Sequence, residues 1–197
     1  MVEVAECPVC TSKDFADHYT CKDTTVSHET FHIKVCQNCS LAITSPRPEE
    51  KDLGKYYLSN TYISHSGKAS GLIGSAYRVV RKFTLNWKYR LVALHSKKGT
   101  LLDYGCGTGE FLKTMQTYNW DVCGLEPSEI ARKKARLLTG KTIAETQEQL
   151  PKKLYNAITL WHVPEHIPDL NLVLQTFKNS LHHNGIIFIA VPNYQSP

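Results

Sequence analysis

The sequence predicts an α/β chain in which a doubly wound, mostly parallel sheet follows a small cysteine-bearing module. From Gly99 onward, short apolar runs alternate with helical patterns. That order builds a parallel sheet with helices on both faces. Ahead of it, residues 1–45 hold five of the seven cysteines, four of them in two C-x2-C pairs. A third observation is the turn Gly105-Cys-Gly-Thr-Gly109, directly after an apolar run. It puts a candidate ligand loop at the carboxyl end of the first strand of that sheet.

The elements follow in order. The module of 1–45 closes at Ser45-Pro-Arg-Pro48, where the prolines disfavour continued strand or helix. Residues 46–98 read as a polar, tyrosine-rich connector followed by a long amphipathic helix over about 70–97. In that helix Leu72, Ala76, Val79, Phe83, Trp87, Leu91 and Leu94 recur every three or four positions. Arg78, Arg81, Lys82 and Lys88 fall on the opposite face. Arg90 projects within the apolar stripe, where it snorkels or meets an acidic partner. Residues 99–197 then give strand 100–104, helix 109–117, strand 121–125, helix 128–138, a short strand near 141–144, strand 156–161, helix 170–181 and strand 186–191.

With 197 residues, 42% hydrophobic and 21% charged, the chain suits one ordinary domain plus an appendage. No apolar run approaches the roughly 20 residues of a membrane span. The start, MVEVAECPVC, lacks the basic-then-apolar order of a signal peptide. The expected location is therefore cytoplasmic, with no membrane partner and with cysteines reduced. The formal charge is +5, and no acidic residue lies between Asp52 and Asp103. Nine lysines and arginines in that interval form either a solvated helix face or a surface for a negatively charged partner.

Cys7-Pro-Val-Cys10 and Cys36-Gln-Asn-Cys39 are separated by 25 residues. Two such knuckles supply four thiolates, enough for one tetrahedral zinc. The β-prone residues between them suit a zinc ribbon. A region of about 40 residues is too small to hold together on an apolar core alone, so a metal staple is physically sensible. Four cysteines close the coordination shell, which makes the expected site structural. Cys21, Cys106 and Cys123 lack paired spacing.

The segment Leu101-Leu-Asp103-Tyr-Gly105-Cys106-Gly107-Thr-Gly109-Glu110 is the most informative. Its glycines permit a tight turn and a close approach of a ligand to the backbone. About twenty residues later a second strand ends at Glu126-Pro127, where a carboxylate accepts hydrogen bonds from ribose hydroxyls. A dinucleotide site shares these features, but its fingerprint is G-x-G-x-x-G with a pyrophosphate on the helix N-terminus. Here the spacing is G-x-G-x-G, and Glu110 at the helix start would repel a pyrophosphate. S-adenosylmethionine, which carries a sulfonium and no phosphate, fits better.

This segment resembles motif I of the class I S-adenosylmethionine-dependent methyltransferases, with Asp103, Gly105, Gly107 and Gly109 at matching positions. Cys-Gly-Leu-Glu126-Pro-Ser is similar to the second motif. The run from Asn156 through Trp161, His162, Pro164, Glu165 and His166 to Asp169 is similar to the fourth-strand motif, and Asn184-Gly-Ile-Ile-Phe-Ile-Ala-Val-Pro to the fifth strand. The resemblance covers 99–192. It implies a Rossmann-like sheet with the cofactor at the strand carboxyl ends, Asp103 at the methionine or ribose end and Glu126 on the ribose. Cys106, Pro127 and Trp161 join the cofactor set by their place in these motifs. The adenine contact after the third strand falls on Glu145, Thr146 or Gln147, with Thr146 the chosen candidate. Pro164 departs from the motif's common leucine. The cysteine module ahead of the domain resembles that of a bacterial subgroup, some of whose members modify sugars.

Methyl transfer is an in-line displacement that asks mainly for positioning. A base is needed only when the acceptor loses a proton. His162 and His166 lie past the fourth strand, with Glu165 between them to orient one. Either they are catalytic, or His162 packs on the cofactor while Glu165 and His166 cap the next segment. Tyr56, Tyr57, Tyr62 and His65 form either a lid or a plain connector. The expected acceptor is a small molecule such as a sugar or phosphorylated metabolite. The rival reading is a nucleic-acid-binding protein, or a methyltransferase acting on nucleic acid, that uses the ribbon and the basic helix. Class I members carry two further strands after the fifth, for which the six residues after Val191 leave no room. The fifth strand would then be an apolar edge, so either the natural chain continues past Pro197, which is the expectation, or a partner chain covers the edge. The 197 residues are expected to bind cofactor but methylate poorly.

Overall fold

A computed structural model describes residues 1–24, 26–49, 52, 56 and 72–193, with side chains from 78 onward in the last stretch. Tyr57, Tyr62 and His65 of the lid reading lie outside the described residues. Two compact units separate.

The first unit is a three-stranded antiparallel ribbon of β1 (Phe15–Lys22), β2 (Thr30–Cys36) and β3 (Ala42–Thr44), in the order β1-β2-β3. Its knuckles repeat one local fold. The carbonyl of Cys7 accepts from the Thr11 N–H and that of Cys36 from the Ser40 N–H, at 2.9 and 2.8 Å. Thr11 and Ser40 both take the left-handed conformation, φ 60° and 61°. Neither is the glycine that this conformation favours, so tertiary demand overrides local preference there.

The second unit holds α1 (Leu72–His95), β4 (Thr100–Tyr104), α2 (Glu110–Thr117), β5 (Asp121–Leu125), α3 (Glu129–Thr139), β6 (Ile143–Ala144), β7 (Tyr155–Trp161), α4 (Leu170–Ser180) and β8 (Leu181–Ala190). The sheet is parallel, in the order β6-β5-β4-β7-β8. The order reverses between β4 and β7, and a crevice at such a switch point is where open α/β sheets bind ligands. Successive residues of β4 serve opposite faces. Leu101 packs with Phe111, Leu112, Met115 and Val122, while Leu102 packs with Ile158, Leu160 and Phe177. This is the two-sided burial expected of a parallel strand. Ser128 caps α3 by accepting from the Ala131 N–H, and Gly140 ends it in the left-handed conformation.

The structure corrects the face assigned to the long helix. Val79, Phe83, Trp87 and Leu94 are 55–78% exposed. Leu91 of that stripe does pack against the core, and the side chains of Leu72 and Ala76 lie outside the described residues. The buried side otherwise carries Leu85, Tyr89 and Val92, which pack with Leu101 and Phe111, together with half-buried Lys88. Helix α1 has apolar residues on more than one side, so its own periodicity does not choose which side meets the sheet. Arg90 is exposed beside the apolar stripe. The third strand shrinks to two residues, and the fifth starts at Leu181, directly after α4. Among the described residues β8 pairs only with β7, and Ile189 on this edge strand is half exposed.

Candidate cofactor site

The loop between β4 and α2 is anchored at both ends. The N–H groups of Gly105 and Cys106 both donate to the Leu125 carbonyl at the end of β5, at 2.8 and 2.9 Å. The Cys106 thiol turns into the core among Leu112 and its neighbours, where burial pushes its pKa up. Its side chain packs in that core. Gly109, at φ 85°, lets α3 approach, since a Cβ there would lie 2.9 Å from Ala135. Gly107, at φ 55°, has nothing within 4 Å of the position its Cβ would take, so open space lies over the loop.

Glu126 faces that loop from the end of β5. Its two carboxylate oxygens accept the N–H groups of Gly107 and Ser128, at 2.9 and 2.8 Å. Burial pushes its pKa up, while the Ser128 and Gly107 N–H groups oppose the shift. Arg132 clamps the turn by donating to the carbonyls of Glu126 and Pro127, both at 2.8 Å. Arg132 also pairs with Glu145 at 3.0 Å. Glu145 is thus engaged, and the Thr146 hydroxyl bonds Glu148. Gln147, half-buried, is the third candidate after β6.

Asp103, at the end of β4, is 2% exposed. Burial raises its pKa to about 7, against the hydrogen bond from Thr159 and the charge of Lys88. The Thr159 hydroxyl donates to it at 2.7 Å. The Lys88 ammonium lies over the Trp161 ring, 4.5 Å from the centroid, and burial lowers its pKa. Trp161 also meets Phe111 edge-on, and its indole N–H is buried with no acceptor among the described residues. Sequence reasoning missed Lys88 and Thr159. The signal for Lys88 was its place in the alternative stripe Leu85, Tyr89, Val92, at helical spacing.

Glu110 does not stand free before a ligand, so its charge does not bar a pyrophosphate from the loop. It pairs with Arg81 of α1 and accepts the Thr108 hydroxyl at 2.5 Å. The glycine spacing, G-x-G-x-G rather than G-x-G-x-x-G, remains as the discriminator.

Beyond β7, His162 adopts φ 59°, uncommon for a residue with a Cβ, while its N–H bonds the Ala190 carbonyl at 2.9 Å. Its Nδ1 lies 3.8 Å from Glu165, within ion-pair range but beyond a hydrogen bond. Pro164 is buried and opens the short 3-10 turn that carries Glu165 and His166. Burial lowers the His166 pKa, and Glu165 opposes that shift. In the ribbon, the Sγ atoms of Cys7, Cys10, Cys36 and Cys39 all lie within 4.8 Å of one another.

A parallel sheet in this order, with a glycine loop after its first strand and an acid ending the next, is the architecture of S-adenosylmethionine-dependent methyltransferases. A family model described as a methyltransferase domain matches residues 78–197. The chain belongs to that methyltransferase domain family. It is 32% identical over 114 residues to the ubiquinone biosynthesis O-methyltransferase of Pectobacterium atrosepticum, covering 53% of this chain and 46% of that one. Identity to the enzyme of the same name from Pelagibacter ubique is 31% over 100 residues, covering 47% and 42%. The chain thus spans less than half the length of these curated relatives. A solved magnesium protoporphyrin IX methyltransferase from Synechocystis PCC 6803, with bound S-adenosylmethionine, superposes with a TM-score of 0.51. At 18% identity, over 70% of this chain and 74% of that one, it shares the fold. Among the described residues no helix is long and apolar enough to cross a membrane.

Proposed function

We propose that this chain binds S-adenosylmethionine over the 105–109 loop and methylates a small-molecule acceptor. The observation that carries the reading is Glu126. It is a buried carboxylate tied to the backbone of the loop, beside the open space over Gly107. Each of its oxygens keeps accepting capacity beyond the one N–H it now takes, enough for two ribose hydroxyls. Asp103, once ionised, and Lys88 place opposite charges at the end of β4, which suits the ammonium and carboxylate of a methionine end. The Trp161 indole N–H, which meets no acceptor among the described residues, offers one more donor. Pro127 and Thr146 border the adenosine side, and Cys106 holds the loop from below.

When bound, the cofactor supplies an electrophilic methyl on a sulfonium. The chain's own residues orient the two reactants and exclude water. His162 or His166 takes the acceptor's proton where one must leave, with Glu165 orienting the imidazole. The Cys7, Cys10, Cys36 and Cys39 thiolates hold one structural zinc. A tetrahedron with Zn–S near 2.3 Å sets sulfurs roughly 3.8 Å apart. The 3.5 Å separations of Cys7–Cys39 and Cys10–Cys36 suit that shell.

The test is a calorimetric titration with S-adenosylhomocysteine. Binding is expected for the unaltered chain. Gly107→Val should abolish it, by filling the open space and straining a positive φ, and Lys88→Met should weaken it. Tight NAD binding with no response to S-adenosylhomocysteine would overturn the proposal.

A further inference from the structure

A groove of about 450 Å3 runs between α1 and α2. It shares no residue with the cofactor loop or the Glu126 turn. Its lining includes four cations, Arg78, Arg81, Lys82 and Lys113, and one carboxylate, Glu110. Arg81 and Glu110 neutralise each other. Lys82 and Lys113 have no ion-pair partner among the described residues. The half-buried Asn86 amide also lines the groove, with no hydrogen-bond partner among the described residues. Tyr118, stacked on Tyr89 at 3.6 Å, walls one end.

Like charges around a concave, low-dielectric wall focus the potential and raise the local concentration of an opposite charge. The protein supplies the cations here, and two of them have no neutralising carboxylate among the described residues. The volume falls in the range of small-molecule sites, roughly 300–1,000 Å3. Lysine ammoniums and an arginine fork are the groups that take phosphate oxygens.

We propose that this groove is a second ligand site, one that binds a small molecule through a diphosphate group. Lys82 and Lys113 meet its charge from the two helices, and Asn86 donates to an oxygen. The proposal goes beyond the methyl-transfer reading and does not depend on it.

The test is calorimetric titration of the whole chain with inorganic pyrophosphate, with and without saturating S-adenosylhomocysteine. The expected result is one pyrophosphate per chain under both conditions. In the double variant Lys82→Gln with Lys113→Gln, pyrophosphate affinity should fall at least tenfold, while S-adenosylhomocysteine affinity and the melting temperature stay unchanged. Equal pyrophosphate affinity in chain and variant overturns the proposal. So does no binding at millimolar pyrophosphate, or a short single-stranded oligonucleotide that binds more tightly and with a steep salt dependence. Loss of S-adenosylhomocysteine binding with pyrophosphate binding intact counts against the methyl-transfer reading alone.

Discussion

Replacing Glu126 with glutamine tests the site at the atom that defines it. The carboxylate now accepts one backbone N–H at each oxygen, from Gly107 and Ser128. A glutamine has one accepting oxygen and one NH2 group, so either N–H then faces a donor. Leaving a buried donor unpaired costs about 1–3 kcal/mol. Part of this is offset, because burying a neutral amide relieves the desolvation that raises the Glu126 pKa. The ligand-free chain should therefore lose about 1–2 kcal/mol in urea unfolding. The cofactor loses more. One ribose hydroxyl exchanges a charged acceptor for a donor, and hydrogen bonds to charged groups are worth about 1.5–3 kcal/mol. Affinity for S-adenosylhomocysteine should fall by roughly 10- to 150-fold, read by calorimetry at pH 8. Glu129→Gln, at an exposed position three residues on, should leave affinity unchanged. A Glu126→Gln chain that binds S-adenosylhomocysteine within twofold of the original would show that the carboxylate does not hold the ribose.

Three further outcomes are expected. Elemental analysis should find about one zinc per chain, and a chelator or Cys36→Ser should unfold the ribbon while the α/β unit keeps its own transition. A metal-free chain that melts identically with and without chelator removes the zinc. Burial raises the Asp103 pKa to about 7, well above its unfolded value. The folded chain therefore holds a proton that the unfolded chain releases, and this stabilisation is full below about pH 4 and lost as pH rises through about 7. The melting temperature of the ligand-free chain should fall as pH rises from about 4 to about 7 and level off above that, and Asp103→Asn should flatten that slope. Parallel curves would refute the buried-acid account. On α1, Val92→Ala should cost about 1.6 kcal/mol, from two buried methyl groups at about 0.8 each. Trp87→Ser should stay within about 0.5 kcal/mol. The reverse ranking in urea unfolding would restore the face that periodicity suggested.

Local signals determined much of this protein. The strands at 100–104 and 121–125 match β4 and β5 residue for residue, because each is an apolar run bounded by glycine or polar turns. The glycine loop, the acid at 126 and the paired cysteines were legible because their chemistry depends on spacing along the chain. Tertiary structure decided the rest. Helix α1 has two apolar stripes of similar quality, and only the sheet beneath it selects Leu85, Tyr89 and Val92 over Phe83 and Trp87. That selection carries Lys88 into the crevice beside Asp103 and Trp161, where a solvated lysine had been expected. It also sets Arg81 against Glu110, cancelling a charge that the sequence alone leaves facing the ligand. A carboxylate's field depends on what lies within a few ångströms of it, and for Glu110 that neighbour comes from 29 residues earlier in the chain.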